Sequence, residues 1–212
     1  GQGEVDRSAR RLAALRDAFR DSLYSSIQAT MAERHIDYVP GSVEWADPDA
    51  AATAIAVTLV DEGQHLPAAA LDRTFVHYLE HFRLRRSGKV DWTNYTPYEM
   101  RIIGALVRLG QRREAHELLT FFVADRRPLA WNQWPEIAWR DPKSPAHIGD
   151  LPHAWIGAEY VLAWLSLFAF EREADEALVI AAGVSEAWLH GGESISVRGL
   201  PTYYGTLNYS LR

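Results

Sequence analysis

Residues 131–155 gather the side chains best suited to chemistry: Trp131, Asn132, Gln133, Trp134, Glu136 and Trp139, then Asp150, His153 and Trp155. Four of the eight tryptophans fall here, beside two carboxylates, two histidines and an Asn-Gln pair. Planar apolar faces interleaved with short polar groups suit a sugar: rings cover C–H faces while amides and carboxylates bind hydroxyls. Glu136 lies among Trp131, Trp134 and Trp139. A carboxyl held against aromatic walls is raised in pKa by desolvation, as a general acid requires. Glu136 is therefore the expected proton donor. Glu99, in the first turn of a later helix, is its expected partner. Trp92, Tyr95, Trp131, Trp134 and Trp155 are expected sugar platforms, with Asn132, Gln133 and His153 binding hydroxyls. Each aromatic also has an ordinary reading as core. Asp47 and Asp150 read as helix caps.

His77-Tyr78-Leu79-Glu80-His81 matches the H-x-x-E-H spacing of a metalloprotease helix. That motif needs its structural context, and its helix reads as an outer one, away from the aromatic loops. No metal or organic cofactor is implied.

The elements that must position these residues follow from periodicity. Residues 6–34 read as one long helix with Leu12, Leu15, Phe19, Leu23, Ile27 and Met31 on one stripe. Ala50–Val57 is small and apolar all round, the mark of a buried helix. Ala68–Arg86 is amphipathic, with Leu71, Phe75, Tyr78, Leu79 and Phe82 inward and Arg73, Glu80, Arg83, Arg85 and Arg86 outward. Ile102–Val107 is again small and apolar. Arg112–Arg126 carries a stripe of Ala115, Leu118, Leu119, Phe122 and Val123. A last helix follows Pro152. Pro48, Pro97 and Pro152 recur at about 50 residues, each near a helix start. Each unit is a charged helix, an aromatic-polar loop and a small-residue helix. Three hairpins result, with charged helices outside, small-residue helices inside and all three loops at one rim. Glu44, Trp45 and Asp47 would meet Asp91, Trp92, Asn94, Tyr95 and Glu99 there. The expected fold class is mainly α: helical hairpins over 1–172, then a short β unit over 173–212. In that tail Ala177–Val184 and Ile195–Arg198 read as strands, Gly191-Gly192 as a break, and Leu207–Leu211 as a strand.

The net charge of −6 and pI near 5.7 argue against nucleic acid. No apolar run is long enough to cross a membrane. Zero Cys excludes disulfides and thiolate metal sites. The Gly1-Gln2-Gly3 opening without Met leaves a removed secretory signal open, and with it an extracellular or periplasmic location.

Paired helices of about 50 residues, Trp-rich loops at one rim and a trailing β segment resemble the six-hairpin glycosidases, the (α/α)6-toroid superfamily. The likeness rests on Asn132-Gln133-Trp134-Pro135-Glu136, on Gly149-Asp150-Leu151-Pro152-His153-Ala154-Trp155, and on the tail. There Ala182–Leu189 and Gly199–Leu207 resemble the strands after the toroid in rhamnosidase-like members. The resemblance implies a carbohydrate partner and hydrolysis of a glycosidic bond by two carboxyl groups, about 5–5.5 Å apart if retaining or about 6.5–9.5 Å if inverting. It departs from the family in having three hairpins. The expectation is that the remaining half of the ring lies upstream in a parent chain or in a second subunit. The alternative is a non-catalytic helical-repeat module that binds protein or glycan.

Overall fold

A computed structural model describes residues 2–190 and 194–212; the break expected at Gly191-Gly192 lies outside them. The chain is mainly α. Six α-helices are followed by short antiparallel strands: α1 (Gln2–Arg34), α2 (Ala50–Thr58), α3 (Ala68–Arg86), α4 (Ile102–Arg108), α5 (Arg112–Ala124) and α6 (Ala154–Phe168).

The three small-residue helices form a row, α4 packing against both α2 and α6. Their lack of bulk allows this close approach. Gly104 of α4 shows how close: a methyl group there would lie 3.0 Å from Ser166 Oγ on α6 and 3.2 Å from Thr58 Cγ2 on α2. The charged helices lie outside, α3 against α2 and α5 against α4. Phe75, Phe82, Met100, Ile103, Leu106, Leu118, Phe122, Ile156 and Leu167 fill the core between the layers.

Several local expectations are corrected. The cap of α2 is Asp49, whose carboxylate accepts from Ala52 N at 2.9 Å. Asp47 instead belongs to the preceding loop, where its carbonyl accepts from Gly41 N at 2.8 Å. Thr96 caps a 3-10 turn, Pro97–Arg101, that leads into α4. Arg85 points inward, not outward. It lies three residues beyond Phe82 and seven beyond Tyr78, which places it on their side of α3. The stripe of α1 divides: Ile27 and Met31 reach the core, while Leu12, Leu15, Phe19 and Leu23 are exposed.

The outer layer is tied to the rest by ion pairs. Glu117 of α5 bridges Arg83 and Arg86 of α3 at 2.7 and 3.1 Å. Glu62 accepts from Arg20 at 2.5 Å and from Tyr24. The Arg83 hydrogen bond holds the Glu117 carboxyl below its ordinary 4.5 against the opposing effect of burial. Burial pushes Glu62 up, but Arg20 and Tyr24 outweigh it and hold that carboxyl low as well. A carboxyl depressed in the folded state stabilises it above the unfolded pKa, and the contribution disappears as pH falls through the folded value. The urea midpoint is therefore expected to drop as pH is lowered from 4.5. Glu117→Gln should flatten that profile; an unchanged acid limb would show that these pairs contribute nothing.

In the tail, β1 (Ala169–Arg172) pairs antiparallel with β2 (Ala177–Ile180), and β3 (Ile195–Thr202) with β4 (Gly205–Leu211). The strand expected over 177–184 ends at Ile180, and the final strand finds its partner in β3. The first hairpin continues directly from α6, so residues 172 and 173 fall inside one hairpin. Tyr209 donates to the Phe168 carbonyl at 2.8 Å and Tyr203 N to Glu171 at 3.1 Å, fastening the second hairpin to the end of α6.

Candidate functional site

The second and third rim loops are joined through Asp125, at the end of α5. Its carboxylate accepts from Arg140 at 2.5 Å, Arg127 at 3.2 Å and the Tyr95 hydroxyl at 3.2 Å. Burial pushes this carboxyl up, to about 6, while Arg127 and Tyr95 pull it down. The Arg140 contact adds to that pull, so the group is ionised at neutral pH. Arg127 also donates to the Trp139 carbonyl at 3.1 Å, and Arg140 lies 4.2 Å over the Trp92 ring. Thr96 Oγ1 donates to the Glu136 carbonyl at 2.6 Å, and Ala138 N to the Tyr95 carbonyl at 3.3 Å. The long third loop is thus folded onto the second. No hydrogen bond among the described residues joins Glu44, Trp45 or Asp47 to either.

This packing corrects three expected sugar platforms. Tyr95 is fully buried, and Trp134 and Trp92 are 4% and 9% exposed. Trp134 Nε1 donates to the Phe122 carbonyl and Trp92 Nε1 to the Arg85 carbonyl, each at 3.0 Å. Trp134 also packs on Tyr160 at 4.6 Å, and Trp92 stacks on Phe121 at 5.1 Å. These rings hold the loops and offer no open face.

Glu99 is corrected as well. Arg85 donates to both its oxygens, at 2.9 and 2.5 Å, and Tyr78 donates at 2.6 Å. Arg85 is 7% exposed in this pair. With both oxygens engaged, Glu99 is a structural anion and not a catalytic partner for Glu136.

What converges on Glu136 is Asp150 and His153. One ligand atom from each lies within 4.8 Å of the others. The backbone explains the approach. Glu136 N donates to the Asp150 carbonyl at 3.2 Å, and Ile137 bridges Gly149 across the loop. A methyl group on Gly149 would meet Ile137 Cβ at 3.3 Å, so a larger residue would press the strands apart. Asp150 takes a left-handed φ of 55° and does not cap α6. Its Oδ2 is 2.8 Å from His153 Nδ1, and His153 Nε2 is 2.8 Å from the Tyr98 hydroxyl. Burial and the Glu136 charge push the Tyr98 phenol above its ordinary range. Tyr98 therefore stays protonated and donates to Nε2, which leaves Nδ1–H to donate to Asp150.

Trp155 meets the Tyr98 ring edge-on at 5.5 Å and is 62% exposed. Trp131 is 63% exposed. Asn132, in a left-handed turn, accepts from Arg126, and the Gln133 carbonyl accepts from Arg127 N at 3.2 Å. Of the expected residues, Glu136, His153 and Trp155 therefore come together. Trp131, Asn132 and Gln133 belong to the loop's outer turn. Asp150 and Tyr98 enter as unexpected members. The three-residue step from Asp150 to His153 was the available signal, but nothing local ties Tyr98 to a histidine 55 residues away.

Among the described residues, Glu136, Asp150 and His153 are also the group able to hold a metal ion. The H-x-x-E-H histidines are engaged elsewhere. His77 faces Asp37 at 3.5 Å, and burial followed by the Arg85 charge lowers the His81 pKa.

Below the rim, Arg101 lies 4.7 Å over the Tyr98 ring and pairs with buried Glu159 at 2.7 Å. It lines a cavity of about 260 Å³ between α4, α6 and β3. No protein-family model, curated protein or solved structure matches the chain.

Proposed function

We propose that this chain binds carbohydrate at the Trp155 rim and that Glu136 and Asp150 supply the carboxyl chemistry for hydrolysing a glycosidic bond in the intact protein. The observation that carries the reading is the convergence of Glu136, Asp150 and His153 within 4.8 Å beside an exposed indole. Trp155 offers a face for a sugar ring. Glu136 gives its proton to the glycosidic oxygen. Asp150, whose Oδ1 is left open by the His153 bond, attacks the anomeric carbon. Water then cleaves the ester, losing a proton to Glu136. The short spacing suits the retaining course, with carboxyls about 5–5.5 Å apart. The row of α2, α4 and α6 inside α3 and α5 supports the resemblance to six-hairpin glycosidases, with the rest of the ring supplied upstream or by a second subunit.

Glu136→Gln is expected to lower kcat on a responsive aryl glycoside by about 10²–10⁴-fold. Trp155→Ala should chiefly raise KM. Full activity in Glu136→Gln would end the proton-donor role. A second reading, binding without hydrolysis, draws on the Asp150–His153–Tyr98 chain, in which both ring nitrogens are engaged. Sugar binding that depends on Trp155 but brings no turnover would select it.

A further inference from the structure

The front of α1 carries an apolar seam with no partner in the fold. From Gly3 to Phe19 every residue except Ala13 is exposed. Val5, Leu12, Leu15, Phe19 and Leu23 nevertheless recur at steps of seven, three, four and four, with Ser8 filling the gap. That spacing keeps them on one side of a helix and is the seam pattern of paired helices. The body contacts of α1 lie on a different side and further along: Arg20 and Tyr24 bind Glu62, and Ile27 enters the core. The seam is therefore separate from the face that docks α1 onto its own fold.

We infer that the protein forms a homodimer in which the α1 seams of two copies pack together. The argument for a second copy is one of area. The five side chains are 43–70% exposed, which leaves roughly 500 Å² of contiguous apolar surface, near the upper limit for a monomer. Pairing the patch with itself across a twofold axis buries on the order of 1,000 Å² from these residues alone, the threshold of a specific interface. Small Ser8 and Ser22 let the two helices approach. Pairing also supplies the packing that a helix projecting from the body otherwise lacks, since helices in water draw most of their stability from a buried face. The inference stands independently of the carbohydrate reading.

The test is the mass of the full chain by light scattering and sedimentation between about 1 and 100 µM, the range in which a moderate dimer dissociates. The expected species has twice the 23.9 kDa chain mass. Leu15→Asp with Phe19→Asp should weaken dimerisation at least about 100-fold, as removal of central apolar anchors does. Near-UV dichroism of this variant should remain unchanged, because both positions face away from the body. Ser8→Cys gives a second readout in a chain with no native cysteine: mild oxidation should yield a disulfide-linked dimer. A wild-type chain that stays monomeric at about 100 µM overturns the inference. So does a dimer that survives the double substitution.

Discussion

Glu99→Ala is expected to cost about 3–5 kcal/mol of folding stability, the usual penalty for leaving one member of a buried ion pair alone. The removed carboxylate accepts two bonds from Arg85 and one from Tyr78. Arg85 lies beneath Trp92 and Tyr95, with its guanidinium 4.8 and 5.5 Å from their rings. Its Nε already has no partner. Without Glu99 the cation has neither an anion nor water, and Tyr78, whose phenol burial pushes well above its ordinary range, loses its acceptor. Chemical unfolding of the variant measures the effect. A loss below about 1 kcal/mol would mean that Arg85 swings out to solvent and behaves as a surface pair. Glu99→Gln keeps the shape and one acceptor, so it should fall between. The pair also explains why a carboxylate near the rim is not part of its chemistry: it holds α3 against the turn that carries Tyr98.

Asp125→Ala should loosen the rim without unfolding the helices. It releases Arg127 and Arg140 together, and with them the ties to Trp139 and Trp92. Each uncompensated buried polar group costs about 1–3 kcal/mol, so a total loss of about 2–4 kcal/mol is expected. The sharper effect is local. Trypsin cleavage after Arg126, Arg127 and Arg140 should speed at least about tenfold, since proteolysis follows local opening. Glu136 sits between those sites, so any rim activity should fall with loop order. If the cleavage rate does not change, the backbone bonds at Glu136, Ile137 and Ala138 suffice to hold the loop.

Much of the architecture was legible because helices announce their buried faces by period. The all-apolar Ala50–Val57 and Ile102–Val107 stretches told which helices lie inside, and the proline recurrence told how many hairpins to expect. Burial was less legible. Leu12, Leu15 and Phe19 have the spacing of a core face, but spacing does not say whether a partner is present. Trp92 and Trp134 look like sugar platforms because indole serves cores and glycans equally. Only the chain's return past Arg85 and Phe122, whose carbonyls capture the two N–H groups, decides between the uses. Asp125 carried no signal at all: an aspartate just after a helix is ordinary until two arginines from the following loop close on it. Tyr98 was hidden beside Glu99, the more conspicuous carboxylate.

The uneven burial of the tryptophans gives the molecule a built-in optical probe. Trp92 and Trp134 sit in the core with their N–H groups bonded to carbonyls, whereas Trp45, Trp131 and Trp155 stand in water. Indoles of the first kind emit at shorter wavelength and resist collisional quenchers; those of the second emit to the red and are quenched readily. The red, quenchable part of the fluorescence therefore comes largely from the rim loops, and a ligand lying across Trp155 would report its own arrival there before its identity is known.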